Sequence, residues 1–398
     1  MTHPDCGLLR RDAPIVVVGA GLAGYSVVRE IRRLDSQVPV LLFARDSAAY
    51  YSKPTLSHAV SRGKSAAQLG SATAGGMAAQ LGVEIRPDSQ LESIDTARGR
   101  IQVNGRMHDY ASLVLALGAE PRKPRLDGLP ASAIHCINDL QDYARFEANR
   151  PAGKRIAIFG AGLIGCEFAN DLAVAGCTVH VFDIAERPLA ALLPAAFSHA
   201  LMEAMADLPV NWHLGNQATR CVAGQRTYRI ELRGGRAVEV DVVLGAVGLL
   251  PRVEVARAAG LNTGRGIIVD PHLRTSCSDV YALGDCAEIC GHTLPYVLPI
   301  MHAARALART LCVEDTPVAF PAMPVVVKTP ALPMCVLPPA AGVPGEWEVE
   351  PAGSGSRAWF VARTSGERIG FALAGGAVVE RAALEREFAG PCLDAVPA

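Results

Sequence analysis

The 398-residue chain carries 38 Lys and Arg against 39 Asp and Glu, a formal net charge of −1. No surplus of positive charge is left to neutralise a nucleic-acid backbone or an anionic membrane, which excludes a dedicated nucleic-acid binder. Hydrophobic residues at 50% and charged residues at 19% exclude a disordered chain, and at roughly 150 residues per domain the length predicts two to three domains.

The N-terminus, Met1-Thr2-His3-Pro4-Asp5, lacks the basic region and cleavage site of a secretory leader, so a cytoplasmic location is expected. Residues 15–18 then predict a strand, Gly19-Ala20-Gly21-Leu22-Ala23-Gly24 a tight turn, the run to about Leu34 a helix and 38–43 a second strand. The same order recurs with strand 155–159, Gly160-Ala161-Gly162-Leu163-Ile164-Gly165, a helix to about Ala175 and strand 178–182. Each copy runs on into a predicted β-hairpin, turning at Asn104-Gly105 in the first and Gly234-Gly235 in the second. Each closes with an apolar strand ending in glycine, 113–118 with Ala116 and Gly118, and 242–248 with Gly248. The pattern is that of an internally duplicated nucleotide-binding domain. Strand 266–270, an apolar stretch over 279–285 and a helix from about Ile300 to Leu311 follow. The Pro-rich segment 317–339 marks a boundary, and beyond it alternating runs at 347–350, 357–363 and 368–374 and a helix over 378–388 predict a small α+β domain.

In a GxGxxG turn the first glycine permits the tight bend, the second lets backbone N–H groups approach a pyrophosphate, and the third lets helix and strand pack closely. A single copy is also what a ligand-free turn looks like; two copies in strand-turn-helix context predict two bound dinucleotides. A ribose-binding carboxylate is expected about 20 residues on, where Asp46 and Asp183 stand, although each also reads as a solvated loop aspartate. Arg45 sits beside Asp46 at the strand end, and Ile184 and Ala185 after Asp183 offer no cation for a 2′-phosphate, which favours NADH despite Arg187 nearby. Asp285, at the end of Ala282-Leu283-Gly284-Asp285, suits polyol hydroxyls or a helix N-cap. The eleven Cys include no CxxC or CxxxxC pair; Cys286 and Cys290 with His292 lack the further ligands of a metal site and read better as small residues near a loop, so no metal is expected.

With these motifs in place the chain resembles the FAD-dependent pyridine-nucleotide reductases over essentially its whole length. The resemblance implies an α/β fold of two Rossmann-like FAD- and NAD-binding domains, the NAD domain inserted in the FAD domain, plus a small α+β C-terminal domain. The expected boundaries are 1–118 and 249–323 for the FAD domain, 119–248 for the NADH domain and 324–398 for a C-terminal interface domain. Branches of that family that work through a thiol carry a CxxxxC, a CxxC or a cysteine near 52–57; none stands here, so electrons are expected to leave the flavin without one. Residues 51–57 (Tyr51-Ser52-Lys53-Pro54-Thr55-Leu56-Ser57) look like the ferredoxin- and rubredoxin-reductase branch, with His58 where many ferredoxin reductases carry a second Lys. In place of the Trp-Ser-Asp motif of ferredoxin reductases and apoptosis-inducing factors the chain has Lys328-Thr329-Pro330 after three valines. That segment, with 162–171 and 283–288, is similar to the branch of the family that reduces rubredoxin.

The resemblance implies tightly bound, non-covalent FAD, NADH as donor and rubredoxin as acceptor, in alkane hydroxylation or in oxygen and radical detoxification. Carried over position by position, Gly19, Ala20, Gly21, Leu22, Ala23, Gly24, Arg45, Asp46, Lys53, Leu91, Ala116, Gly118, Gly284, Asp285, Val297 and Lys328 serve FAD. Gly160, Gly162, Leu163, Ile164, Gly165, Glu167, Asp183 and Gly248 serve NADH. Glu167 is read as lying in the first turn of its helix, where the macrodipole alone stabilises a carboxylate. The resemblance places it at the junction of nicotinamide and flavin, paired with Lys53. Lys328 would stabilise the anionic reduced flavin, or else snorkels at a strand end. Other acceptors kept open are ferredoxin and a rubredoxin domain fused to a flavo-diiron nitric oxide reductase; the alternative from another class is a flavin-bound NADH sensor like the apoptosis-inducing factors.

Overall fold

A strand covered on both faces must be apolar throughout, and Ile15–Val18, Val40–Phe43 and Val242–Gly245 are buried along their whole length. The computed structural model describes residues 13–149, 153–215, 217–340 and 342–388. The N-terminal stretch read above for a leader, Cys6 and Cys392 lie outside the described residues. Two five-stranded parallel sheets form the body. The first runs in the order Val280–Ala282, Ser112–Leu115, Ile15–Val18, Val40–Phe43, Glu84–Arg86. The second runs Val210–His213, Thr178–Phe182, Arg155–Phe159, Val242–Gly245, Ile134–His135. Because Val280–Ala282 pairs with Ser112–Leu115, the chain leaves the first sheet, builds the second and comes back to finish the first.

The exit and return paths are themselves paired: Ala119–Pro121 and Leu249–Pro251 form a two-stranded antiparallel ribbon. Arg252 laces its end, donating from Nη1 to the Leu117 carbonyl at 2.9 Å and meeting Glu120 at 3.1 Å. Each parallel sheet has a three-stranded antiparallel satellite. The first turns at Asn104-Gly105, with φ of 46° and 74°, the left-handed pair that a two-residue turn between twisted strands demands.

The first motif helix, Leu22–Leu34, buries its apolar face against the sheet and against helix Val297–Cys312. That second helix begins a turn earlier than the sequence predicted, because Pro299 falls in the first turn, where a missing N–H costs nothing. The Pro-rich segment expected to be only a boundary contains two short strands, Val325–Val327 and Met334–Leu337. These join Arg368–Gly375, Gly355–Ala362 and Gly345–Ala352 in an antiparallel sheet. The helix expected over 378–388 divides into a 3-10 turn, Gly376–Glu380, and a short helix, Arg381–Glu387.

One face of this C-terminal sheet packs around Trp359 and Phe371. The other face, with Val327, Met334 and Ala372, shares a core with Leu56 and Val60 from the N-terminal part and Phe168 and Leu172 from the second motif helix. Each of these Val, Leu, Met and Phe side chains contributes about 1.5–3 kcal/mol on burial, so this common core fixes the three parts against one another. Among the described residues no helix is long and apolar enough to cross a membrane.

Candidate functional site

Both glycine turns show why those positions exclude a side chain. Gly19 and Gly160 hold φ of 118° and 110°, and a Cβ on either would sit 2.1 or 2.3 Å from the carbonyl oxygen of Ala116 or Ala246. A Cβ on Gly24 or Gly165 would lie 1.8 or 1.9 Å from the carbonyl of Gly19 or Gly160, where helix crosses strand. The middle glycines differ. Gly21 and Gly162 have open space around the Cβ position, and neither helix they begin is capped by a side chain. Each helix therefore presents unspent N–H donors and the positive end of its dipole to an open space large enough for a phosphate.

Both open into one cavity of about 2150 Å³ between the two parallel sheets and the C-terminal domain. Of the residues singled out in the sequence, Gly21, Leu22, Ala23, Lys53, Ala116 and Gly118 line it from the first half, with Asp285, Val297 and Lys328 from later segments. Gly160, Gly162, Leu163, Ile164, Glu167, Asp183 and Gly248 line it from the second. Gly284, at φ 80°, packs under the first motif helix, its Cβ position 2.8 Å from Cβ of Ala23. Val297 opens a helix whose N-cap, Tyr296, makes no side-chain bond, so a third free helix N-terminus faces the cavity. Arg45, Asp46 and Leu91 do not line the cavity: Arg45 lies 3.9 Å from Asp139, and Leu91 opens a satellite strand with its side chain in the core.

The two aspartates are used differently. Asp183 accepts the Ala161 N–H of the glycine turn at 2.5 Å on one oxygen and the Ala185 N–H at 2.8 Å on the other. It is thereby locked against the turn and still borders the cavity. The Asp46 carboxylate accepts the Ala48 N–H at 3.0 Å, closing its own loop, while its backbone carbonyl accepts the Asp88 N–H at 2.9 Å.

The expected pair of Lys53 and Glu167 is not formed. Lys53 Nζ lies 3.6 Å from Asp285 instead. Lys53 opens the 3-10 turn Lys53–His58, and five residues of such a turn span about 10 Å, so its far end, Ser57 and His58, is what reaches Glu167. Glu167, 3% exposed, accepts the Ser57 hydroxyl at 2.6 Å and the Lys328 backbone N–H at 3.1 Å, with His58 Nε2 at 3.5 Å. Nor is it in the first turn: the helix starts at Leu163, which puts Glu167 in the second turn, held by these bonds rather than by free helix donors.

Sequence reasoning missed the rest of this contact. Asp171 accepts the backbone N–H of Val60 at 2.9 Å and of Ser61 at 3.1 Å, and the Ser61 hydroxyl, while Asn170 accepts the Ala331 N–H at 3.0 Å. The signal was present: Glu167, Asn170 and Asp171 fall at i, i+3 and i+4, one polar face on a helix otherwise apolar. No thiol here is poised to react. Burial pushes Cys286 up to about 11, and its hydrogen goes to the carbonyls of Leu115 and Leu283; burial, with Asp183 and Glu167 nearby, raises Cys166 further.

Residues 13–309 match the family described as pyridine nucleotide-disulphide oxidoreductase, and 317–388 match the rubredoxin binding C-terminal domain. A rubredoxin-NAD(+) reductase of Alcanivorax borkumensis is 45% identical over 94% of this chain and 98% of its own. A second, from Acinetobacter baylyi, is 40% identical over 91% and 94%. Among solved structures, the ferredoxin reductase for the CYP199A2 system of Rhodopseudomonas palustris superposes with a TM-score of 0.84 at 25% identity, covering 96% of both chains.

Proposed function

The chain belongs to the pyridine nucleotide-disulphide oxidoreductase family, and from that membership we propose that it is an FAD-dependent NADH:rubredoxin oxidoreductase. The observation that carries the reading is the single cavity into which both uncapped motif helices open, with a rubredoxin-binding type of domain forming part of its wall through Lys328. The free donors at Gly21, Leu22 and Ala23 fit the pyrophosphate of FAD, and those at Gly162, Leu163 and Ile164 fit that of NADH. FAD, when bound, accepts a hydride from NADH and releases electrons singly, which no side chain of this protein does.

The protein's part is to bind and orient. Gly19, Ala20, Gly24, Gly160 and Gly165 shape the turns; Asp183 holds the NADH ribose, its rigidity set by the Ala161 and Ala185 amides. Asp285, with Gly284 before it, receives the polyol hydroxyls and steadies Lys53. Arg45, Asp46 and the Leu91 backbone, which stand outside the cavity walls, keep the adenosine end of FAD only as what the family resemblance implies, and Ala116, Gly118, Gly248 and Val297 are wall. Glu167 presents its carboxylate where nicotinamide and flavin meet, and Lys328 offers a positive charge to the same space. The corresponding domains are 1–118 with 249–323 for FAD, 119–248 for NADH and 324–398 for rubredoxin. No disulfide joins two described cysteines, which suits the reducing cytoplasm.

The test is NADH-driven cytochrome c reduction by the purified yellow protein with and without rubredoxin, with NADPH as control. Strong dependence on both rubredoxin and NADH is expected. Bound FAD with no acceleration by rubredoxin would overturn the acceptor assignment.

A further inference from the structure

A backbone N–H that leaves water must find an acceptor. Residues 329–332 meet this need partly within their own turn: the Leu332 N–H returns to the Thr329 carbonyl at 3.1 Å, and the Thr329 hydroxyl donates to the Leu332 carbonyl at 2.7 Å. Pro330 has no N–H to give. Two further amides are caught from outside, by side chains of the second motif helix, Leu163–Val174. Lys328 donates to Glu167 at 3.1 Å and Ala331 to Asn170 at 3.0 Å. The acceptors stand three residues apart on one helix face and the donors three residues apart on the segment, so a turn of helix is matched to the span of the chain it grips. The two acceptors have different duties. Glu167 also borders the cavity, whereas Asn170, 1% exposed, is not among the cavity walls and serves the segment. Lys328 is exposed and lines the cavity, while Thr329 beside it is buried.

We propose that Asn170 is a positioning residue for Lys328: through the Ala331 amide it anchors the turn that delivers the lysine's charge to the flavin, and so tunes the flavin's potential from outside the cavity. The inference rests on the reading that Lys328 offers its charge to the flavin. An ammonium group on four flexible carbons is confined only as well as its backbone is held. With Ala331 released, the charge spreads over more of the cavity, and its attraction for added electrons falls with distance. The helix that does the anchoring also begins at the glycine turn proposed for the NADH pyrophosphate. Asn170 lies seven residues beyond Leu163, a rise of about 10 Å. One rigid element thus registers the donor nucleotide against a lysine that belongs to the rubredoxin-binding type of domain.

The test is the midpoint potential of the FAD-loaded protein, measured against a reference dye without NADH, in the parent, Lys328→Ala, Asn170→Ala and the double variant. Asn170→Ala should lower the potential, as Lys328→Ala does and by no more, and should add nothing on the Lys328→Ala background. Asn170→Leu, which keeps the branching at Cγ and removes the acceptor, carries the same expectation should Asn170→Ala not hold FAD. A loosened fold that left Lys328 in place would not move the potential. An unchanged potential in the Asn170 variant, or a shift that survives on the Lys328→Ala background, overturns the proposal. Hydrogen–deuterium exchange of the peptide spanning 326–333 should show the Ala331 amide exchanging about tenfold faster in Asn170→Ala; unchanged exchange overturns the anchor. An unmoved potential in Lys328→Ala would instead overturn the reading of Lys328 as the flavin's cation, and the exchange measurement would still decide whether Asn170 holds the turn.

Discussion

Replacing Asp171 by Ala tests the contact that ties the second motif helix to residues 57–61. Three donors lose their acceptor: the Val60 N–H, buried, and the N–H and hydroxyl of Ser61, which sits at the surface. The Ser61 groups recover water, so their loss costs only about 0.5–1.5 kcal/mol each, while the stranded Val60 N–H costs about 1–3 kcal/mol. Together the local penalty is about 4 kcal/mol, which corresponds to faster exchange of the Val60 and Ser61 amides by about 10³-fold. Hydrogen–deuterium exchange of the peptide spanning 57–64, read by mass spectrometry, measures this directly, with a distant peptide such as 345–352 as internal control. Asp171→Asn should lie between, because its carbonyl oxygen can keep both Ser61 bonds while its amide faces the Val60 N–H. Unchanged protection of Val60 and Ser61 in Asp171→Ala would refute the reasoning.

Asp183→Ala should weaken NADH binding by about tenfold or more, the cost of one lost charged hydrogen bond, with FAD content unchanged in the purified protein; equal loss of both, read by NADH titration and flavin absorbance, would sink the two-site assignment. Gly24→Ala, whose Cβ would lie 1.8 Å from the Gly19 carbonyl, should disrupt the turn itself and yield protein without FAD. Gly21→Ala meets nothing in the protein and should fold normally, losing FAD affinity only, as equilibrium dialysis against FAD would show. Burial, with His213 alongside, pushes His180 down to about 4, below the ordinary 6.5. The unfolded chain therefore takes up that proton first, so stability should fall as pH drops from 6.5 to 4, and His180→Phe should lessen the loss in urea midpoints at pH 7 and pH 5. Lys328→Ala should lower the flavin midpoint potential by removing a positive charge, and an unchanged redox titration would count against its role.

The strands and turns nearest the glycine motifs were legible because local chemistry decides them. Thr178–Phe182 reads Thr-Val-His-Val-Phe, β-branched and aromatic residues bounded by Gly176-Cys177 before and Asp183 after. The short strands Val325–Val327 and Met334–Leu337 were hidden by flanking prolines, which mark edges of a sheet as readily as its absence. The partner of Lys53 was not legible at all. A long flexible side chain reaches whichever carboxylate the tertiary structure brings near, and Asp285 and Glu167 lie far along the chain in the same direction. The position of Glu167 turned on whether the helix begins one residue earlier or later, a distinction that lives in backbone dihedrals.

The antiparallel ribbon of Ala119–Pro121 and Leu249–Pro251 carries a consequence for how such proteins diversify. Everything between its strands enters and leaves through neighbouring backbone positions, so an intervening unit of different length or donor preference can be exchanged while the surrounding chain keeps its course. On the proposed domain assignment, choice of electron donor and choice of electron acceptor sit on separately replaceable segments. The ribbon is the natural splice point for building chimaeras that pair one with another.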